Sequence, residues 1–545
     1  MKELRPKLFS SLKGYSKQQL VKDLTAGVIV AIIALPLSIA LALASGVKPE
    51  QGLYTAIVAG FVISFLGGSR VQIAGPTAAF ASIVAGIVAQ NGLSGLMLAT
   101  IIAGVMLILM GLFKLGSLIK FIPYTITTGF TTGIAITIVI GQLKDFFGLT
   151  FKNSPIETIE KVEEVVHCFA TFNWQALVIG AVSLAILIIV PKFLKKIPAS
   201  IIAIIISIAL VKLLNMDVNT IGDLYTISRD APKFSMPEFS LDTVKTIMPD
   251  ALTIAVLAAV ESLLSCVVAD GMIGSRHNSN MELVAQGAGN ICSALFGGIP
   301  ATGAIARTAA NIKNGGRTPI SGMVHAVVLL AMLLVLMPYA SLIPMPTIAA
   351  ILFIVAYNMS EWREFASIIK HSPKSDTLVL IVTFVLTVAF DLVVAICVGI
   401  VLSTVMFMKR MSDVTDAYGW KEIDEATDTD NVNLKKIPEG AMVYEITGPI
   451  FFGASNKIAN VIKSSDKKVI IIRMRSVPAI DATGIHSFES IIKTCRQKNI
   501  TLIMSHVNNQ PMKVLKKSGM YKDIGKENIC DNIDKALARA EEILK

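Results

Sequence analysis

The sequence predicts an all-α polytopic membrane domain followed by a small cytosolic α/β domain. Three observations carry that expectation. Of 545 residues, 53% are hydrophobic and only 16% charged, against about 25% charged in an ordinary soluble domain. Long windows contain no Asp, Glu, Lys or Arg at all. After Lys409 and Arg410 the composition turns polar, and strand-like and helix-like segments alternate. The apolar content excludes a disordered chain. The formal net charge of +10 fits basic inner loops of a membrane protein better than a nucleic-acid partner. Cys168, Cys266, Cys292, Cys397, Cys495 and Cys530 are scattered without a CxxC, so no disulfide framework is expected.

Residues 1–22 carry six basic side chains and one acidic one and read as a cytosolic N-terminal segment with no cleavable signal. Residues 23–410 hold the spans. Leu24–Val47, Val71–Phe113, Phe121–Leu143, Val165–Pro191, Leu283–Ala306, Thr318–Ser360 and Leu392–Met408 are uncharged windows. About 20 apolar residues cross the hydrocarbon core as a helix, so Val71–Phe113 and Thr318–Ser360 are each long enough for two spans. Stretches 197–214 and 246–270 read as spans despite interruptions. The total expected is 14. With that count, Arg70, Lys114, Lys120, Lys192, Lys195, Lys196, Arg276, Lys313, Arg317, Arg363, Lys370 and Lys374 fall on the cytosolic side. The longest loops, about 148–173 and 215–245, fall outside and are richer in acid. Asp391 then reads as an outer turn between the last two spans.

Residues 411–436 read as an acidic linker and 437–545 as an α/β domain. The expected strands are Ala441–Thr447, Lys468–Met474 and Thr501–Ser505. The expected helices are Ala454–Ser464, Thr483–Lys498, Gln510–Ser518 and Asn532–Leu544.

Two interrupted segments suggest an internal repeat. One runs GGSRVQIAGPTAAF from Gly67 to Phe80; the other runs GGIPATGAIAR from Gly297 to Arg307. Each has a Gly-Gly, then a proline, then a threonine ahead of an apolar helix. Pro36 to Thr77 and Glu261 to Thr302 are each 41 residues apart. With 14 spans, the first segment enters from the cytosol and the second from outside, as an inverted repeat requires. A half-helix starting inside the membrane has unpaired N–H groups and partial positive charge at its start. Two such ends facing one another make an anion site. Thr77 and Thr302 are expected to cap the half-helices. Gln72, Pro76, Thr77, Ala78, Thr302, Gly303, Ala304 and Arg307 are the expected substrate-binding residues. Tyr54 and Phe80 are candidate walls, and Pro36 is expected to kink the first span.

Glu261 lies deep in ALTIAVLAAVESLLSCVVAD. An intramembrane acid marks a functional site and is a candidate carrier of a coupled proton. Ser265, four residues on, shares its helical face. Arg307 either balances Glu261 and attracts the anion or snorkels to the cytosol. His167, His277, His325 and His371 do not cluster, so no metal or other cofactor is expected. No catalytic constellation is present, so an enzyme is not expected.

The chain resembles the SulP family of anion transporters, bacterial relatives of the animal solute carrier 26 proteins. The resemblance rests on LTAGVIVAIIALPLSIALALASGVKPEQGLYTAIVAG, GGSRVQIAGPTAAF, IPYTITTGFTTGIAI and GGIPATGAIARTAANIKNGGRTPISG. The tail resembles a STAS domain, with VPAIDATGIHSFE as its D-x-[ST]-G loop. The GPTAAF and GFTTGIAITI stretches look closest to a bacterial branch that includes a C4-dicarboxylate transporter. The resemblance implies a seven-plus-seven inverted repeat. It implies a mobile core of spans 1–4 and 8–11 and a gate of spans 5–7 and 12–14. It further implies elevator-like movement, a homodimer and a cell-membrane location with both termini cytosolic. In sodium-coupled members a carboxylate and a hydroxyl at the places of Glu261 and Ser265 look like cation ligands. Thr483, after Asp481, matches a phosphorylatable position, while a helix cap explains the same residues.

The leading reading is secondary transport of sulfate, bicarbonate or a C4-dicarboxylate, coupled to protons. A sodium symporter and an anion exchanger are the runners-up. An anion channel, or a receptor with the tail as output to a cytosolic protein partner, is a different class. A channel needs no coupling acid, so Glu261 argues against it.

Overall fold

The computed structural model describes residues 4–12, 14–117, 123–153, 155, 157–193, 198–228, 230–237, 241–390, 392–414, 416–419, 436–451 and 467–545. Asp391, Lys120, Lys195, Lys196 and the expected helix Ala454–Ser464 lie outside them. The chain divides into two compact units, Met1–Ile400 and Val401–Lys545.

The first unit is helical. Its main helices are α1 (Lys17–Ala44), α2 (Pro49–Leu66), α3 (Ala81–Leu112), α4 (Tyr124–Phe147), α5 (Trp174–Phe193), α6 (Ala199–Leu213) and α7 (Leu241–Ile273). They continue with α8 (Ser279–Leu295), α9 (Ile305–Lys313), α10 (Ile320–Ala340), α11 (Met345–Met359), α12 (Trp362–His371) and α13 (Lys374–Ala389). The next is α14 (Leu392–Val414). Among the described residues, eight helices are long and apolar enough to cross a membrane. This is a multi-pass membrane fold. Exposed Leu109, Ile189, Ile205, Val335 and Val385 are the surface such a fold presents to lipid.

Two uncharged windows are not simple spans. Val71–Phe113 begins extended, passes through a short 3-10 turn at Ala78–Phe80 and then becomes α3. Within α3, Gly92 has φ +67° and breaks the helix geometry, a conformation glycine adopts without a Cβ penalty. Leu283–Ala306 is likewise two pieces. Its helix stops at Leu295, Gly297 turns with φ +74°, and the chain runs extended to Ala304 before α9. Pro36 sits inside α1, which continues through it to Ala44. The window from Val165 opens with the end of a separate helix, Thr158–His167, and α5 starts only at Trp174.

The extended pieces pair with each other. Strand β1 (Ala74–Gly75) runs antiparallel to β2 (Thr302–Gly303), with Ala74 opposite Gly303 and Gly75 opposite Thr302. Residues 71–80 and 301–304 are all buried. Around this pair, α1, α2, α3, α7, α8, α9 and α10 pack mainly on one another. A second group, α4, α5, α6, α11 and α13, does the same.

Helix α8 positions both extended pieces through one face. Glu282, Gln286, Asn290 and Ser293 recur at helical spacing and are all buried. Glu282 Oε2 accepts from the N–H groups of Gly68 (2.8 Å) and Ser69 (3.0 Å). Gln286 Nε2 donates to its other oxygen (2.9 Å). Asn290 accepts from Ala301 N (2.8 Å) and donates to Ala301 O (2.9 Å), and Ser293 Oγ donates to Ile299 O (2.8 Å). From α2, Thr55 Oγ1 accepts from Ile299 N (2.7 Å).

The second unit carries a five-stranded sheet, β3 (Asp416–Gly419), β4 (Ala441–Thr447), β5 (Val469–Ser476), β6 (Thr501–Ser505) and β7 (Ile529–Cys530), in that spatial order. β3 is antiparallel to β4; the other pairings are parallel. The expectation of a plain linker over 411–436 is therefore corrected, since Asp416–Gly419 is an edge strand. The helices α15 (Ala482–Gln497) and α16 (Asn509–Ser518) cover one face, with Phe488, Ile491 and Leu515 against Ile470, Ile472 and Met504. After the short α17 (Met520–Ile524), α18 (Ile533–Leu544) covers the other, with Leu537 and Ala540 against Val469, Ile471 and Ile503. Alternate β5 residues face opposite layers, as a central parallel strand demands.

Replacing Glu282 by alanine leaves two buried backbone donors unmet, each at a cost of about 1–3 kcal/mol. Thermal unfolding of the detergent-solubilised protein is expected to show a clearly lowered midpoint for Glu282→Ala and a smaller loss for Glu282→Gln. An unchanged midpoint in the alanine variant contradicts the anchoring role.

Candidate functional site

The candidate site is the crossing of the two interrupted segments, at the β1–β2 pair. Backbone without helical bonds inside an apolar slab must find its partners within the protein. Here each repeat supplies them to the other. Ala304 N donates to Ile73 O (2.9 Å). Ile73 N donates to Thr308 Oγ1 (3.0 Å), and Asn311 Nδ2 donates to Val71 O (2.8 Å). Arg307 Nη2 donates to Pro76 O (3.1 Å).

Two strand glycines make the crossing possible. A Cβ on Gly75 would strike Arg307 Nη1, and a Cβ on Gly303 would strike Gln72 Nε2. The arrangement is reciprocal: the glycine of each repeat makes room for the polar side chain of the other. It also leaves donors unspent. Gln72 Nε2 and Arg307 Nε and Nη1 are buried and have no protein partner. Unmet buried donors are costly, and these three lie beside the strand crossing, against Gly75 and Gly303.

The predicted residues largely meet here, though some do so in unexpected ways. Thr77 is extended (φ −126°, ψ 158°) and makes no side-chain cap. Its Oγ1 donates instead to Glu261 Oε2 at 2.9 Å. Thr302 does not cap either. It lies in β2 and donates to Ala258 O (3.2 Å) on α7, while Ala304 occupies the N-cap position of α9. The capping expectation is wrong for both: Thr302 stands two residues ahead of the α9 N-cap, and Thr77, at the N-cap position of the 3-10 turn, accepts no backbone N–H there. Ser265 turns to Thr308 Oγ1 (3.4 Å). Gln72 Oε1 accepts from the Cys266 thiol. Ala78 and Phe80 are buried at the start of the first half-helix. Tyr54 leaves the site, its hydroxyl donating to Asp230 O (2.9 Å). Asp270 closes the end of α7, accepting from His277 N (2.8 Å) and Ser275 Oγ (2.7 Å).

Arg307 is 1% exposed and does not snorkel. Glu261 keeps partial exposure, and Ile305 and Ala306, at the start of α9, are exposed. Arg307 is thus enclosed, whereas the Glu261 side chain keeps some exposure. Thr55, Cys266, Asn290, Thr308 and Asn311 were not singled out from the sequence. Their signal was polarity at helical spacing inside apolar helices. Among the described residues, no three His, Cys, Asp or Glu side chains are grouped to hold a metal.

In the second unit, Asp481 caps α15 by accepting from Gly484 N (2.8 Å). Thr483 is exposed in the first turn.

The sulfate permease family profile matches residues 20–383, and the STAS domain profile matches 433–536. The chain belongs to the sulfate permease family. A relative from Bacillus subtilis strain 168, YvdB, provisionally named a sulfate transporter, is 42% identical over 527 residues, covering 96% of this chain and 98% of that one. The bicarbonate transporter BicA of a Picosynechococcus species is 30% identical over 545 residues, covering 96% and 94%. The transmembrane domain of a cyanobacterial BicA superposes with a TM-score of 0.62 at 31% identity, over 70% of this chain and 98% of that one. Murine Slc26a9 in the inward-facing state shares the fold, with a TM-score of 0.88 at 18% identity over 98% and 94%.

Gly75→Ala and Gly303→Ala each insert one methyl into the reciprocal contact. Both variants are expected to reach the membrane but lose at least about tenfold in apparent anion affinity, measured by uptake at varied anion concentration. Wild-type affinity in both contradicts the close approach as a functional requirement.

Proposed function

We propose that this family member is a secondary transporter of small oxyanions, sulfate or bicarbonate, coupled to protons. The carrying observation is the buried β1–β2 crossing with its unspent donors and the Thr77–Glu261 hydrogen bond beside them. The anion is held between the starts of the two half-helices, near Pro76, Thr77 and Ala78 from one repeat and Thr302, Gly303 and Ala304 from the other. Gln72 and Arg307 supply donors, and the helix ends supply partial positive charge.

Glu261 is the coupling group in this reading, and Ser265 orients Thr308 beneath it. A carboxylate and a substrate anion compete for the same positive region, so a proton on Glu261 removes the repulsion. Anion and proton therefore favour one another's binding, and the linkage is reciprocal. The relatives' names, sulfate and bicarbonate transport, support the substrate class. A C4-dicarboxylate is accommodated in principle by one positive end per carboxylate.

The 14 spans of the proposal follow from α1 to α11, α13 and α14, with α3 counted as two at Gly92. Both termini are then cytosolic. Spans 1–4 and 8–11 form the core that carries the site, within residues 23–410. The two separately packed helix groups support an elevator-like movement of this core past the gate. A homodimer, the 437–545 domain as a docking surface for a cytosolic protein, and regulation at Asp481 and Thr483 complete the proposal.

Proteoliposomes test it. Uptake of labelled sulfate, bicarbonate and succinate is compared with and without an inward proton gradient, for the native chain and Glu261→Gln. The gradient is expected to accelerate uptake of at least one anion in the native protein and to lose its effect in the variant. Uptake driven by sodium or by a trans anion, and indifferent to the proton gradient, overturns proton coupling in favour of sodium symport or exchange.

A further inference from the structure

We infer that α12 lies in the membrane surface, where Arg363, Lys370 and Lys374 dock anionic phospholipid headgroups and Trp362 and Ile369 reach the acyl chains beside them. The inference needs the membrane fold but not the transport reading.

Helix α12 has ten residues, about 15 Å of helix, and is too short to span. Glu361 turns the chain out of α11 in the left-handed region, with φ +44°. The start of α12 is then held against α4: Thr128 Oγ1 donates to Glu361 Oε2 (3.4 Å), and Thr132 Oγ1 donates to Ser360 O. Phe365 meets Phe384 of α13 edge to face, with ring centroids 5.2 Å apart, and Ile368 is buried. One face of α12 is therefore fixed on the ends of α4 and α13.

At about 100° per residue, the other side chains sort into strips beside that face. Trp362 and Ile369, seven residues apart, come next and are 48% and 44% exposed. Arg363 and Lys370, also seven apart, follow and are exposed. Protein, hydrocarbon and headgroup are thus met in that order around the helix, the pattern of a helix lying in the interface. Arg363 stands over the Trp362 ring, 5.4 Å from its centroid.

Lys374 sets the level. It opens α13, and Leu378, Ile381 and Val385 follow it on the same face at helical spacing, all exposed. That row is apolar surface for lipid, so Lys374 stands at its end, where a lysine reaches the headgroups. Tyr124, one turn before Thr128 on α4, is exposed as well. With Trp362 it supplies the interfacial aromatics of this side.

Charge decides the occupant. Among the described residues, Arg363, Lys370 and Lys374 form no ion pair. The nearby acids stand elsewhere: Glu361 is engaged by Thr128, Glu364 lies about 100° round α12 from Arg363, and Asp376 about 200° round α13 from Lys374. Unneutralised cations at the edge of an apolar surface attract an anionic leaflet. A second copy packed on the same strip through a two-fold axis would instead bring like charges together.

The test uses Trp362 as its own reporter. The chain has three tryptophans, and Trp174→Phe with Trp420→Phe leaves Trp362 alone. In nanodiscs, its fluorescence is measured with phosphatidylglycerol or phosphatidylcholine brominated on the acyl chains, each at equal mole fraction in phosphatidylcholine. Both are expected to quench, with phosphatidylglycerol favoured at least about threefold. The preference is expected to fall below about 1.5-fold when Arg363→Gln, Lys370→Gln and Lys374→Gln are combined. It is also expected to fall at about 1 M salt, where the Debye length is about 3 Å. Equal quenching by the two lipids overturns the anionic site. Quenching by neither places protein, such as a second copy, over this face and overturns the inference outright. A preference that survives the three substitutions overturns the assignment to these side chains. Where the triple variant does not fold, the salt series decides, and a salt-independent preference overturns the inference.

Discussion

The structure depends on one constraint: stretches of backbone that are not helical lie buried in an apolar membrane unit, and every polar group on them needs a partner there. Residues 71–77 and 297–304 meet it by crossing each other and by borrowing side chains from α2, α8 and α9. The crossing fixes where both half-helices begin, and it sets the spacing of donors around that point. Thr55, Glu282, Gln286, Asn290, Ser293, Thr308 and Asn311 all serve it directly or at one remove.

From that constraint the chemistry follows. A crossing of two extended strands saturates their inner edges and leaves the helix starts beyond them with unspent N–H groups. Positive potential without a mobile counter-charge suits an anion that must later leave. Arg307 is buried behind the strand, one N–H engaged with Pro76, so its charge acts through a short distance of protein. Glu261 keeps partial exposure and accepts from Thr77, just ahead of the first half-helix. Acid and cation are thus each tied to the segment that opens the first half-helix, the acid at Thr77 and the cation at Pro76.

Much of this was legible in the sequence, and the reason is composition. Long apolar windows, two Gly/Pro interruptions and one deep carboxylate stand out because each is expensive in a membrane. The strands Ala441–Thr447 and Thr501–Ser505 match expectation to the residue, since a β-rich run between turn residues has few alternatives. The roles of the two threonines were not legible. Hydroxyl capping is the local rule, but the second half-helix starts two residues later than Thr302 suggests, and the acceptors of both hydroxyls, Glu261 and the Ala258 carbonyl, lie 184 and 44 residues away in sequence. The edge strand Asp416–Gly419 escaped for a related reason. Its polar composition reads as a linker, and only pairing with β4 makes it a strand. The polar face of α8 was visible as Glu282, Gln286 and Asn290 at intervals of four, yet its targets, two loops in different repeats, exist only in three dimensions.

The central claim is that the anion sits at the crossing itself. The most direct measurement is a structure of the full chain in lipid nanodiscs with selenate, whose anomalous or strong scattering marks its position. The account predicts one site per chain within hydrogen-bonding reach of the residue 76–78 and 303–305 backbone, beside Gln72. Selenate bound elsewhere, with the crossing unoccupied at concentrations that saturate transport, contradicts it.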